Sequence, residues 1–282
     1  MKHSFLLPSG ASRQSNYRNM LKVLLIGSLC IFSQQLCFSQ KKTTSAKQQQ
    51  EYIALTVYHT TGTEQLSGIE QYLQASLLPA LEKGKFQKIG VFTGIANDTA
   101  AEKNIYLLIP FQSLPQLERL TAITAATLAD TAKAKGYVKA PHNKPMFARM
   151  ETILLKAFAA MPVVRAPKLG GDLSERVYEL RSYESATEAQ HLNKVKMFNE
   201  GEVQLFDRLG FNAVFYGQVI AGSRMPNLMY ITSFDNKTIR DEHWKNFVVD
   251  PAWKTMSALP QYQNNVSKID ITFLRPTTYS KL

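Results

Sequence analysis

The chain has 282 residues, 33 of them Lys or Arg against 22 Asp or Glu, with five His, two Cys and 45% hydrophobic residues. That hydrophobic share beside 20% charged residues excludes a disordered chain. At roughly 100–200 residues per domain the length suggests two domains.

Residues 1–22 carry Lys2, Arg13, Arg18 and Lys22 and no acid, and the apolar run Val23 to Phe32 follows. A positive leader, a short apolar stretch and small residues near Ser39 have the form of a secretory signal peptide over 1–39. The run is half the roughly twenty residues a membrane span needs. An uncleaved anchor and a lipid anchor are the alternatives. Both Cys30 and Cys37 follow leucine, however, whereas a lipid-bearing cysteine follows a small residue. Cleavage after Ser39 removes both cysteines, so the mature chain would hold no disulfide, thiolate nucleophile or cysteine-ligated metal. It also removes four basic residues and no acidic one, leaving 29 against 22 and a net charge of +7. Apart from Lys41-Lys42 that charge is scattered in ones and twos, unlike the concentrated face of a nucleic-acid binder. No nucleic-acid partner is expected, and no integral membrane segment in the mature chain.

Residues 40–50 (QKKTTSAKQQQ) read as a polar, flexible tail. Strand signals follow at 52–59, 88–95, 104–111 and 151–158. Between the first two, Leu66, Ile69, Leu73, Leu77 and Ala80 fall on one helical face, with Pro79 expected to bend or shorten the helix and Gly84 to end it. A second, Ala-rich helix is predicted over 116–135. Residues 51–160 thus read β-α-β-β-α-β. Residues 161–174, with two prolines and two glycines, read as a linker.

The same order recurs over 175–282, with strand signals at 176–183, 212–220, 227–234 and 266–274. The first helix of this half carries Leu192, Val195, Phe198, Val203, Phe206 and Leu209, with a capping box from Ser185 and Glu188 and a stop at Gly210. A second helix starts near Thr238, and a short third has Asp250 as N-cap and Pro251 at its first position. A shift of 125 places Leu55 on Leu180, Tyr58 on Tyr183 and Phe86 on Phe211. A shift of 123 places Phe92 on Phe215, Gly94 on Gly217 and Phe111 on Phe234. We read an α+β chain of two tandem ferredoxin-like domains, an internal duplication. Each sheet has a face its own helices leave bare, so the two sheets should pack as an intrachain pseudo-dimeric α/β barrel with room for a small ligand. Any further oligomer is not legible.

Side chains alternate along the first strand of the second half: Glu179, Arg181 and Tyr183 share a face, and Tyr178, Leu180 and Ser182 share the other. The equivalents are Ala54, Thr56 and Tyr58 on one face, and Ile53, Leu55 and Val57 on the other. The apolar set is expected to face the helices and the Glu179/Arg181/Tyr183 set the barrel interior, where the guanidinium would bind an anion bidentately. The alternative is that Glu179 and Arg181 neutralise one another on the sheet. Trp244 and Trp253, the only tryptophans, lie in RDEHWKNFVVDPAW and serve as core, interface or ligand platform. His243 is an acid–base candidate or a structural histidine, and Tyr216, Tyr230 and Tyr262 are candidate pocket lining. The ligand-binding set is therefore Glu179, Arg181, Tyr183, Tyr216, His243, Trp244 and Trp253, with the first half as scaffold. The five His show no metal-ligand spacing, so no metal is expected; a lone axial haem ligand stays open and no cofactor is assigned. No GxGxxG, Walker or GxSxG motif is present.

The segments YELRSY, FYGQV, LMYITSF and above all RDEHWKNFVVDPAW resemble a NIPSNAP-family domain over about 176–275. The first half resembles a degenerate copy without the Arg, Trp and Asp-Pro features. The resemblance implies a dimeric α/β-barrel fold and little chemistry, and it highlights Arg181, Tyr183, Arg240, Asp241, Trp244, Asp250 and Trp253. With the leader, it points to an exported protein of a Gram-negative periplasm or envelope that binds a small molecule between its sheets. The alternatives are a barrel enzyme of monooxygenase, isomerase or haem-handling type, or a protein-interaction module; the first is analogy by fold.

Overall fold

The computed structural model describes residues 48–130, 132 and 135–282; the leader lies outside them. Eight strands form, four from each half: β1 (Tyr52–Thr60), β2 (Gly90–Gly94), β3 (Lys103–Phe111) and β4 (Arg149–Ala157), then β5 (Val177–Glu184), β6 (Phe215–Ala221), β7 (Asn227–Phe234) and β8 (Lys268–Pro276). They close into one antiparallel barrel in the order β1-β3-β2-β8-β5-β7-β6-β4. Each half is a four-stranded ferredoxin-like sheet, and the halves join edge to edge through β2–β8 and β4–β6. Residues 48–282 are one compact unit.

Helix α1 spans 63–83 and α2 is Leu114–Ala129, followed by the single turn α3 (Lys135–Val138); α4 spans 188–208, α5 is Lys237–Val249 and α6 is Pro251–Ser257. Helix α1 does not break at Pro79. It widens into a π-helical turn at Leu73–Leu77 and runs on. Helix α4 has the same turn at Phe198–Glu202, 125 residues later and without a proline, so the turn belongs to the repeat. At the start of α4 Thr187 is the cap, accepting from the Gln190 N–H, while the Ser185 hydroxyl donates to the Asn265 carbonyl. Asp250 caps α6 as the sequence indicates, and Gly210 ends α4 with φ +74°. Leu192, predicted on the buried face, is exposed.

The register corrects one part of the repeat alignment. Gly90 pairs with Leu108 and Phe215 pairs with Ile231, so the equivalents are Gly90 with Phe215 and Phe92 with Gly217. Each half gives the barrel one phenylalanine and one glycine in opposite order. A Cβ at Gly217 would lie 3.2 Å from the Leu155 Cβ, which is why the bulk there is carried by the other position.

The faces are the reverse of the expectation. Ile53, Leu55 and Val57 of β1 and Tyr178 and Leu180 of β5 fill the barrel interior with Phe92, Leu155, Phe215 and Leu274. Ala54 and Tyr58 pack beneath α1 and α2, and Tyr183 beneath α4 and α5. Closure explains this: inside a ring every strand contributes side chains to one narrow space remote from water, so the wholly apolar set belongs there.

One end of the barrel is plugged. Residues 161–174 have no regular structure but are not a loose tether. Met161 and Val164 are fully buried, Val164 and Leu169 join the interior core, and the Arg165 N–H donates to the Val214 carbonyl. Leu282 packs on the same core. No helix among the described residues is long and apolar enough to cross a membrane.

Phe92 is fully buried in the interior, 4.9 Å from the ring of Tyr178. Phe92→Ala should lower the unfolding free energy by about 3–5 kcal/mol, read as a lower urea midpoint.

Candidate functional sites at the barrel mouth and under the helices

Under the helices of the second half, α5 brings Arg240 and Trp244 over the first strand of the repeat. Glu179 is fully buried. Its Oε1 accepts from Arg181 Nε at 2.7 Å and Arg240 Nη2 at 2.6 Å, and its Oε2 from Arg240 Nε and Trp244 Nε1, each at 2.7 Å. The Arg181 guanidinium lies 3.8 Å from the Trp244 ring centroid and donates to the Tyr183 hydroxyl at 2.7 Å, which meets the Tyr230 hydroxyl at 2.8 Å. Burial pushes the Glu179 carboxyl up, but the hydrogen bonds and charges of Arg240 and Arg181 outweigh it and hold it below the usual carboxylate range. Glu179 and Arg181 thus neutralise one another, with Arg240 added. Beside them Lys194 donates to Glu202 at 2.8 Å, both buried; burial raises the Glu202 carboxyl against the pull of Lys194.

The other predicted residues gather around this cluster. Tyr216 is buried against Phe206 and Phe158, its hydroxyl without a partner among the described residues. His243 packs edge-on to Phe234 at 5.6 Å, and Trp253 lies 4.4 Å from Phe247. The structure therefore places all seven residues on the helix side of the sheet, none in the barrel interior.

The open space in the barrel lies at its unplugged end. A cavity of about 340 Å3 is floored by Ile153, Leu180, Val219 and Met229 and rimmed by charged and polar side chains of both halves. At its centre His59, 7% exposed, places Nδ1 2.7 Å from Glu102 Oε1 and Nε2 3.0 Å from Glu151 Oε1. Arg149 Nη2 stands 2.9 Å from the same Nε2, and Ser223 donates to Glu151 Oε2 at 2.7 Å. With Nε2 unprotonated, Arg149 donates to it; with Nε2 protonated, the ring donates to both carboxylates. The hydrogen bond from His59 holds the Glu102 carboxyl below its ordinary range. At Glu151 burial works upward but is outweighed by Ser223, His59 and Arg149. Burial pushes the Tyr106 hydroxyl up to about 12, so it stays a neutral donor on the wall. Across the mouth Arg224 Nε lies 2.7 Å from Glu184 Oε1, and Arg224 also pairs with Asp270. Asn104 and Asn227, equivalent under the 123-residue shift, both line the cavity, and the Oδ1 of each is buried with no partner among the described residues.

Sequence reasoning missed this group because its members are far apart in the chain. The signal available was parity: His59 continues the Ile53, Leu55, Val57 face, so whatever holds those three in the interior brings His59 to its mouth. Among the described residues no group of three or more His, Cys, Asp or Glu is arranged to hold a metal ion.

Residues 178–281, most of the second half, match the NIPSNAP family model. No curated protein matches the chain at a significant level. Among solved structures it is similar to a protein from Lactobacillus acidophilus NCFM named provisionally as a monooxygenase. That likeness has 13% identity and a TM-score of 0.52, covering 80% of this chain and 94% of that one. A second protein so named, from Fusobacterium nucleatum, shows 8% identity and a TM-score of 0.51, covering 80% and 92%. A NIPSNAP-family protein of unknown function from Agrobacterium tumefaciens C58 covers 40% of this chain and 97% of its own, at 18% identity and a TM-score of 0.35. At such identities the first two likenesses speak to the α/β-barrel fold alone.

Glu179→Ala should leave Arg181 without its paired carboxylate under the helices and Arg240 with only the half-exposed Asp241, and cost about 3–5 kcal/mol of stability in urea unfolding. Because the folded-state carboxyl is depressed, its contribution is fully present above the ordinary carboxylate pKa of about 4 and is lost as pH falls through the lower, folded value. Glu179→Gln should remove that part of the acid dependence, which unfolding at stepped pH would show.

Proposed function

We propose that this is an exported protein that binds a small molecule in the open mouth of its barrel, between the two half-sheets. The observation that carries the reading is the cavity around His59: an apolar floor under a rim with two buried amide oxygens that lack partners. A molecule resting its apolar part on Ile153, Leu180, Val219 and Met229 and offering hydrogen-bond donors to Asn104 and Asn227 fits that arrangement. The Glu179 cluster is the less suitable place, since its carboxylate and both guanidiniums already bond one another. His59, held between Glu102 and Glu151, would present a fixed ring to the ligand at the rim.

Native mass spectrometry of the protein purified from the envelope fraction of its host should show a stoichiometric added mass. Asn227→Leu and His59→Ala should each weaken rebinding of the released molecule by roughly tenfold, the effect of one lost hydrogen bond. A bare polypeptide mass, or variants that rebind like the parent, would count against the reading. The composition of residues 1–39 supports the export reading. N-terminal sequencing of the recovered protein should begin within a few residues of Gln40.

A further inference from the structure

The two repeats build the space between sheet and helices from equivalent positions and fill it differently. Register and caps fix the equivalences. Ala54 and Thr56 correspond to Glu179 and Arg181 by the shift of 125, and Leu117, Thr121 and Thr124 to Arg240, Trp244 and Phe247 by the shift of 123, which also maps the cap Ser113 onto Asn236. At four of these five positions the first repeat carries a much smaller side chain, and at the fifth Leu replaces Arg. In the second repeat Arg181 and Trp244 stack in this space and Phe247 closes it, 3% exposed. In the first repeat the same space is a cavity of about 340 Å3 between β1, β3 and α2.

Its lining is apolar beyond what composition suggests. Thr121 and Thr124 donate their hydroxyls to the carbonyls of Leu117 and Leu120, each at 3.0 Å, and Thr56 and Thr152 bond one another at 2.8 Å. The hydroxyl protons of Thr121 and Thr124, and that of one member of the Thr56–Thr152 pair, are thus already engaged. No charged side chain lines it among the described residues. Leu128 and Met150 on its rim are 37% and 47% exposed, so the cavity opens to solvent beside large apolar groups. At one end, burial and the neighbouring tyrosines hold the Tyr58 hydroxyl well above its ordinary value, leaving a neutral phenol there.

We infer that the first repeat carries a second binding site, independent of the barrel mouth, for a small neutral apolar molecule such as an aromatic or hydrocarbon compound. A charged ligand would find no counter-ion there, and a water-filled cleft would offer its waters few partners. The duplication supplies an internal control, since the second repeat shows which side chains abolish the space.

The test uses N-phenyl-1-naphthylamine, a neutral fluorescent probe, with the full purified protein. Saturable binding at one site is expected. Thr121→Trp and Thr124→Phe, which place the second repeat's bulk in the first, should each weaken it about tenfold or more while far-ultraviolet circular dichroism stays that of the parent. His59→Ala at the barrel mouth should leave probe affinity unchanged. In the unmodified protein, nuclear Overhauser contacts are expected from the probe to the methyls of Leu117, Ala125 and Met150, a readout that does not depend on a variant folding. Contacts to Ile153, Val219 and Met229 instead, or loss of binding in His59→Ala alone, would move the probe to the mouth and overturn the second site. Absence of saturable binding would overturn it too, as would a concentration-dependent dimer in light scattering that excludes the probe, which would make the cleft an interface between two copies.

Discussion

Closure of the sheet is the constraint from which the other features follow. A single ferredoxin-like unit leaves two strand edges unpaired and one face of its sheet bare, and either defect invites association. Pairing β2 with β8 and β4 with β6 removes all four edges of the two units at once and turns both bare faces into one enclosed interior. The interior is then the driest place in the molecule, and the side chains that can tolerate only that environment occupy it. The bulk inside is shared between halves, Phe92 opposite in role to Gly217 and Phe215 to Gly90, so neither half could supply the core alone.

Because closure claims the apolar face of each strand, the opposite face must be satisfied by helices. The second repeat does so with ions. Glu179, Arg181 and Arg240 saturate one another around the Trp244 ring, an arrangement whose net contribution to stability is small when intact and whose disruption is costly, since removing one member strands the rest. The first repeat does so with leucines, threonines and tyrosines of smaller total bulk and leaves a hollow. The two halves nevertheless share the π-helical turn and the 125-residue spacing of first strand and first helix.

The plug formed by residues 161–174 and Leu282 gives the barrel a polarity of its own. With one end filled, the remaining volume collects at the other, where strands from both repeats end. Charged residues are tolerated there because water reaches them, and their pairing is dictated by strand register: His59 stands opposite Asn104 on one neighbour and Arg149 on the other. The charged side chains of both halves thus gather at the open end of the described interior.

The sequence by itself determined the element order, the likeness of the two halves, all eight strands to within about three residues at each end, and the resemblance of the second half to the NIPSNAP family. These rest on local signals: alternation, helical spacing, caps such as Asp250 with Pro251, and a segment, RDEHWKNFVVDPAW, whose residues are contiguous. It also showed that Glu179 and Arg181 share a face and are matched by Ala54 and Thr56 in the first half. Which way that face points was decided only by tertiary structure. Alternation gives two faces but not their direction, and the direction depends on whether the ring or the helix layer excludes more water. The His59, Glu102 and Glu151 group was likewise beyond the sequence, since its members lie 43 and 92 residues from the histidine and meet only because antiparallel pairing across three strands sets them at one rim. A cavity, finally, is the space that side chains from several elements fail to fill, and that volume exists only once those elements are packed against one another.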